Sequence, residues 1–135
     1  MHIVVCVDER DGMLFNRRRV SSDKALTQKI LKIAQNTRLW MNGYSAKLFA
    51  GFEDRITVAE DYLRRAESGD YCFAETADLL PYRERIESVL LCCWNRKYPA
   101  DTHFPRQLLE GASLESEEEI VGNSHETVTI RRYVL

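Results

Sequence analysis

The residues from Ile86 to Trp94, IESVLLCCW, form the most apolar stretch of the chain. A short apolar run that is rich in valine and leucine indicates a strand whose two faces are both buried in a sheet. The run His2–Val7, HIVVCV, has the same character near the start of the chain. Both stretches are therefore predicted to be central strands, and Arg38–Met41 is predicted to be their neighbour.

Shorter predicted elements fill the rest of the chain. A helix is predicted from Ser21 or Ser22, with Asp23 in its first turn, where a negative charge suits the helix dipole. Asp8–Ser21 is interpreted as a long polar loop, and the charged stretch Glu60–Asp70 as a loop or a frayed turn. The other predicted elements are a short helix from Gly43, strands at Ile56–Ala59 and Tyr71–Phe73, at most a short helix at Leu79–Arg85, and strands at Glu117–Val121 and Glu126–Val134.

The order of these elements predicts the fold class. Strands that alternate with helices are typical of a mainly parallel sheet covered on both faces. The last two strands are separated only by Gly122–His125, which reads as a turn and predicts an antiparallel pair at one side. A chain of 135 residues fits one domain. We therefore expect a single three-layer α/β domain over residues 1–135.

Composition excludes several classes of protein. The net charge of −2 disfavours a nucleic-acid partner, because such proteins usually carry a basic excess. The longest apolar stretch, Val89–Cys93, is far shorter than the about 20 residues of a membrane-spanning helix. Asp8 comes too early for the apolar region of a signal peptide, so a cytoplasmic location without a membrane partner is expected. No pair of cysteines has the CxxC spacing of a metal site, so no metal is expected.

The string Asp101–Pro105, DTHFP, resembles the segment after the sixth strand of dihydrofolate reductases. Near the start, IVVCVDERDGMLF resembles the first strand and active-site loop of that family, and LWMNGYSAKLF resembles its strand-turn-helix segment. The resemblance implies a dihydrofolate-reductase-like outline over most of the chain. It would place Gly12 and Met13 beside a ligand and make Asp23 the substrate-facing catalytic acid. Cys92 would occupy the position of a threonine that bonds this acid.

Departures from the reductase pattern fall where the nicotinamide cofactor would bind. Reductases have a Gly-Gly pair after their fifth strand, where the backbone approaches the cofactor diphosphate. This chain has Ala74 and Glu75 there, which adds side chains and a negative charge. Tyr44 follows Gly43 where the family has an arginine. NADPH is therefore not expected to be a cofactor.

Three further strings, DERDGMLFNRRR, DYCFAET and WNRKYPADTHF, resemble an uncharacterised bacterial family of about this length. Its members sometimes carry the label ribonuclease Z, an activity that needs clustered histidines and aspartates for two metals. The only histidines here are His2, His103 and His125, and none forms an HxH pair. The sequence gives that label no support.

The run Arg17-Arg18-Arg19 is unusual in an acidic chain. Guanidinium groups bind phosphates and carboxylates in a bidentate manner. In an extended loop Arg17 and Arg19 would share a face, close to the backbone N–H groups of the helix start. These two arginines are therefore predicted to bind an anion. The alternatives are a solvated run, or pairing with the acidic stretch 115–119.

These features support three functional hypotheses. The first is a diverged dihydrofolate-reductase-like domain that binds a small-molecule anion without nicotinamide-dependent turnover. The second is an NADPH-dependent reductase of a pterin-like or other heterocyclic substrate, with Asp23 as proton donor. The third is a module that binds nucleic acid or protein through the Arg17–Arg19 loop.

Overall fold

The computed structural model describes residues 1–135 and contains ten strands and three α-helices. The strands are β1 (His2–Val7), β2 (Gly12–Phe15), β3 (Arg18–Arg19), β4 (Leu39–Met41), β5 (Thr57–Val58), β6 (Tyr71–Phe73), β7 (Ser88–Cys93), β8 (Thr102–His103), β9 (Ser113–Val121) and β10 (Thr127–Val134). The helices are α1 (Lys24–Ile33), α2 (Gly43–Ala46) and α3 (Tyr62–Arg65). Four short 3₁₀-helices lie at Lys47–Phe49, Glu53–Arg55, Leu80–Arg85 and Arg106–Leu109.

Seven strands form the main sheet, in the order β5-β4-β6-β1-β7-β10-β9. Strand β1 runs parallel to both β6 and β7, and its pairing with β7 runs from His2 opposite Ser88 to Val7 opposite Cys93. Strand β10 is antiparallel to β7 and to β9. The predicted α/β class, with a mainly parallel sheet and an antiparallel end, is confirmed.

One predicted neighbour is wrong. Strand β4 does not lie beside β1, because β6 is inserted between them and pairs with both. All three residues of β6 are buried, although its short sequence YCF is a weak strand signal. An apolar run indicates that a strand is buried, but it carries no information about which strand lies next to it.

Hydrophobic cores lie on both faces of the sheet, as a three-layer fold requires. Successive residues of β1 and β7 point to opposite faces, so Val5 and Leu91 join one core while Val4 and Leu90 join the other. Helix α1 covers the face of Val4 and Leu90 with a row of buried residues, Leu26, Ile30, Leu31 and Ala34. Helix α3 covers the opposite face through Tyr62, Leu63 and Ala66.

Two segments predicted to be loops contain regular structure. Within Asp8–Ser21, β2 and β3 form a hairpin whose turn residues Asn16 and Arg17 have φ of 50° and 65°. Strand β2 also pairs with β8, which makes a second, three-stranded sheet. Within Glu60–Asp70, α3 buries an apolar pair among charged residues. In both segments a short apolar stretch forms regular structure because tertiary packing stabilises it. Its hydrophobic pattern alone is too short to predict a strand or a helix.

The longest helix, α1, has 10 residues. A helix that crosses the hydrocarbon core of a bilayer needs about 20 residues, most of them apolar. None of the helices is long and apolar enough to do so.

Candidate functional site

Asp23 lies at the junction between the β2–β3 hairpin and α1. It is the N-cap residue of the helix, and its Oδ1 accepts hydrogen bonds from the backbone N–H groups of Ala25 at 2.9 Å and Leu26 at 3.4 Å. An aspartate at this position satisfies N–H groups that have no partner within the helix. The predicted helix start is therefore correct to within two or three residues, and Asp23 caps it.

The turn between β9 and β10 also binds the Asp23 carboxylate. Oδ2 accepts hydrogen bonds from the backbone N–H groups of Asn123 at 2.9 Å, Ser124 at 2.8 Å and His125 at 3.1 Å. Gly122 allows the turn to close this tightly, because a Cβ there would lie 2.9 Å from Oδ2 and would clash with the His125 carbonyl. Asp23 therefore fastens the start of α1 to the last hairpin of the chain.

These contacts set the ionisation of Asp23, which is only 4% exposed. Burial raises the pKa of the carboxyl, but the hydrogen bonds from Asn123, His125, Ser124 and Ala25 outweigh burial and hold the pKa well below its usual range. Asp23 is therefore ionised at neutral pH and has no proton to donate. Its contacts give no support to the proton-donor role that the reductase hypothesis assigns to it.

His125 extends this junction and was not singled out by the sequence. Its Nδ1 lies 3.0 Å from Oδ2 of Asp23, and its Nε2 lies 2.9 Å from Oγ of Ser21 and 3.0 Å from the hydroxyl of Tyr98. The imidazole ring stacks on Trp94, with ring centroids 4.7 Å apart. His125 is 5% exposed. The junction thus holds a carboxylate, an imidazole and two hydroxyl groups in one continuous hydrogen-bonded chain.

Arg19 and Arg17 lie in different environments. The Arg19 guanidinium donates two hydrogen bonds to Glu75, at 2.8 and 2.9 Å, and stacks over the ring of Tyr44. Glu75 is 7% exposed and also accepts a hydrogen bond from Ser45 Oγ at 2.7 Å. Arg17 lies in the hairpin turn and is exposed. The expectation of an extended loop with both side chains on one face is wrong, because the segment is a hairpin and Glu75 holds Arg19.

A cleft of about 450 Å³ opens beside Asp23, between α1 and the segment 47–52 that follows α2. We call it the α1–α2 cleft. Its lining residues are Ser22, Asp23, Lys24, Thr27, Gln28, Lys47, Leu48, Ala50 and Phe52. Lys24 and Lys47 are exposed, and neither forms a salt bridge. The only carboxylate of the lining is Asp23, whose oxygens already accept hydrogen bonds from backbone N–H groups. The two lysine ammonium groups are therefore the charges of the cleft that remain free to bind a ligand.

A second cavity, of about 280 Å³, lies beside Glu75. Its lining contains Met13, Glu75, Asp78 and His103, and it contains no lysine or arginine. The charge of Glu75 is compensated by Arg19, so the repulsion expected from this carboxylate alone is reduced. The exposed carboxylate of Asp78 remains. The cavity therefore offers a diphosphate no cationic partner.

The other residues implied by the resemblance are all closely packed. Gly12 is packed so closely that a Cβ would lie 2.7 Å from Cβ of Ala100 and 2.9 Å from Oδ1 of Asp8. Met13 is buried and lines the cavity beside Glu75. Cys92 is buried in β7 opposite Cys6 and lines none of the cavities. The structure thus brings Asp23 to the α1–α2 cleft and Met13 to the cavity beside Glu75, so these two predicted site residues line different cavities.

The acidic residues after β1 are held by protein contacts. Asp8 is buried and accepts hydrogen bonds from the backbone N–H groups of Arg10, Gly12 and Tyr98 at 2.7–2.9 Å. Asp11 pairs with Arg106 at 2.7 Å. Neither aspartate is therefore a purely solvated side chain. No group of three or more His, Cys, Asp or Glu side chains is placed to hold a metal ion.

No model of a known protein family matches the chain, and no curated protein matches its sequence. The chemistry of the site is therefore inferred from the positions and contacts of its own side chains.

Proposed function

We propose that the protein binds a small organic anion in the α1–α2 cleft, without nicotinamide-dependent turnover. The observation that carries this proposal is the pair Lys24 and Lys47, two ammonium groups without carboxylate partners that line one cleft. A cleft of about 450 Å³ lies within the usual range of small-molecule sites, about 300–1,000 Å³. Two cations that line one cleft attract an anion more strongly than the same cations far apart on an open surface.

The rest of the cleft indicates what kind of anion would fit. Leu48 and Phe52 are half-buried and form an apolar wall. Ser22 and Gln28 are exposed side chains that can donate hydrogen bonds. An apolar wall combined with a few polar groups is typical of a site for an organic molecule rather than for an inorganic ion. The favoured ligand is a carboxylate or phosphate ester that carries a ring or an alkyl group.

The start of α1 adds to the attraction. The backbone N–H groups of Ala25 and Leu26 are satisfied by Asp23, whereas that of Lys24 makes no hydrogen bond within the protein. The positive end of the helix dipole acts at the same place. The charge of Asp23 opposes an anion, but its oxygens are occupied by N–H donors that disperse this charge.

The experiment measures binding of phenyl phosphate by calorimetry, with benzyl alcohol as a neutral probe that retains the ring. We expect Lys47→Ala to weaken phenyl phosphate binding about tenfold or more, because a charge pair near 4 Å contributes on the order of 1–4 kcal/mol. Lys32→Ala is the matched control, since Lys32 is an exposed lysine of α1 outside the cleft. Unchanged binding in both Lys47→Ala and Lys24→Ala would refute the proposed site.

The Arg17 variant separates this proposal from the arginine-loop hypothesis. If Arg17→Ala abolishes binding of phenyl phosphate while Lys47→Ala retains it, the anion binds at the hairpin instead. One observation favours the third hypothesis, a partner module: Phe15 is 45% exposed beside the exposed Arg17 and Arg18. An aromatic ring flanked by guanidinium groups suits a nucleic-acid strand. Affinity for a single-stranded oligonucleotide that falls steeply with salt, and that Arg17→Ala reduces, would support this module.

A further inference from the structure

The contacts of His125 place three side chains in the order of a nucleophilic triad. Oδ2 of Asp23 lies 3.0 Å from Nδ1 of His125, and Nε2 of the same ring lies 2.9 Å from Oγ of Ser21. A nucleophile, a base and a group that orients the base, each within hydrogen-bond reach, define this arrangement wherever it occurs in a fold. We propose that Ser21 is a reactive nucleophile that accepts the acyl group of a carboxylic ester, with His125 as its general base.

The environment of His125 suits a base. The ionised Asp23 accepts the Nδ1 proton, which leaves the lone pair of Nε2 directed at the hydroxyl groups of Ser21 and Tyr98. Stacking on Trp94 holds the plane of the ring, and the backbone contacts of Asp23 hold the carboxylate. The imidazole is therefore oriented before any substrate arrives, as efficient proton transfer requires.

Ser21 can be reached from solvent and lies beside unpaired hydrogen-bond donors. It is half-buried, in the short connection between β3 and α1. The backbone N–H groups of Ser22 and Asp23 make no hydrogen bond within the protein. The N–H of the residue after a nucleophile is a common donor to the oxyanion of acyl transfer. The Ser22 N–H has that position in this chain.

The reaction balances without any further reagent except water. Oγ of Ser21 forms a bond to the ester carbonyl carbon while its proton passes to Nε2 of His125. The tetrahedral oxyanion then collapses, the bond to the alcohol oxygen breaks, and His125 returns the proton to the departing alcohol. Water attacks the resulting acyl-serine by the same route, which releases the carboxylic acid and restores Ser21.

Tyr98 gives the proposal a distinctive signature. Its hydroxyl lies 3.0 Å from the same Nε2, which has a single lone pair for two hydroxyl donors. When Tyr98 donates, Ser21 is not activated. Removing the Tyr98 hydroxyl therefore increases the reactivity of Ser21, whereas in a purely structural network it would leave Ser21 as unreactive as any other serine.

The test is covalent labelling of the full chain with diisopropyl fluorophosphate, located by peptide mass spectrometry. In this reaction Oγ of Ser21 bonds to phosphorus, fluoride leaves, and the proton passes to His125. We expect one label on Ser21, none in Ser21→Ala, and faster labelling in Tyr98→Phe. Ser68→Ala is the matched control, since Ser68 is exposed in the loop before β6, and it should label like the unchanged chain. A burst of p-nitrophenol from p-nitrophenyl acetate, absent in Ser21→Ala, is the second expected result.

His125→Gln keeps the proposal open to refutation. In a variant that remains folded by circular dichroism, loss of the base should slow the labelling of Ser21 about a hundredfold or more. An unlabelled natural chain, a label on a different residue, or a Ser21 label whose rate is the same in folded His125→Gln would each overturn the proposal. Ser21→Ala removes one hydrogen bond only, so a melting temperature close to that of the unchanged chain shows that lost labelling is not lost folding.

Discussion

Replacing Asp23 with asparagine tests the junction between α1 and the β9–β10 turn. The substitution preserves the size of the side chain, and asparagine is as good a helix N-cap as aspartate. It removes the negative charge and converts one carboxylate oxygen into an NH₂ group. That group would face the N–H groups of Ser124 and His125, which lie 2.8 and 3.1 Å from Oδ2. Two or more buried donors then lose their acceptor.

The magnitude follows from those contacts. A buried donor left without a partner costs about 1–3 kcal/mol, and more where the lost partner was charged. Partial relaxation of the turn recovers some of this loss, so we expect Asp23→Asn to lower the free energy of unfolding by about 3 kcal/mol. In a domain of this size that corresponds to a decrease of about 10 °C in melting temperature.

The effect should depend on pH in a defined direction. The pKa of Asp23 is lower in the folded state than its usual value near 3.8, so the unfolded chain binds the proton more readily. The stabilisation is therefore fully present above the unfolded pKa and is lost as the pH falls through it toward the lower folded value. The difference in stability between the unchanged chain and Asp23→Asn should therefore shrink below about pH 4.

The assay is urea unfolding followed by circular dichroism between pH 3.5 and 7.5. Asp54→Asn is the control, because Asp54 is exposed and its carboxylate makes no hydrogen bond. It should have nearly the stability of the unchanged chain at every pH. A loss of less than about 1 kcal/mol in Asp23→Asn, or a difference that does not change with pH, would show that the Asp23 contacts do not stabilise the fold as described.

Three other expectations can be measured directly. Arg19→Ala should lower the free energy of unfolding by about 3 kcal/mol in urea, because it leaves the buried Glu75 carboxylate without its partner. The control Arg17→Ala, at an exposed residue, should change it by less than about 0.5 kcal/mol. Equal effects would contradict the pairing of Arg19 with Glu75. Gly122→Ala should lower the free energy of unfolding by about 1–3 kcal/mol, because the new Cβ would clash with the His125 carbonyl. Gly43→Ala is the control and should leave stability nearly unchanged, because a Cβ there would lie 3.4 Å from its nearest neighbour, a side-chain oxygen of Glu60. NADPH should bind no tighter than the millimolar range in calorimetry, since the cavity beside Glu75 lacks a cationic side chain; micromolar binding would restore the reductase hypothesis.

Much of the fold could be predicted because its signals are local. Strands β1 and β7 are continuous apolar runs, and the start of α1 is marked by Ser22 and Asp23 ahead of a helical apolar pattern. The final antiparallel pair follows from two alternating segments around a short turn. Each of these signals depends on residues a few positions apart. The α/β class and the approximate element bounds were therefore readable from the order of residues.

The site could be predicted only in part. The sequence singles out Asp23 as a first-turn carboxylate of α1 and, through the resemblance, as a catalytic acid, but a lone aspartate in the sequence does not reveal its hydrogen-bond partners. Five donors to its carboxylate come from Asn123, Ser124 and His125, 100 to 102 residues further along the chain. The sequence does not single out Lys24 and Lys47, the two lysines that line the α1–α2 cleft. No local pattern distinguishes a solvated lysine from one that lines a cleft.

The sequence by itself determined that β1 and β7 are buried, where α1 begins and that the sheet ends in an antiparallel pair, since long apolar runs and turns are encoded by neighbouring residues. Only the tertiary structure decided that β6 separates β1 from β4, that Glu75 neutralises Arg19, and that Ser21, His125 and Asp23 meet. These are contacts between segments far apart in the chain. The packing of the whole fold decides which of these residues meet. A buried charge or polar group is stable only when the fold places a complementary group beside it.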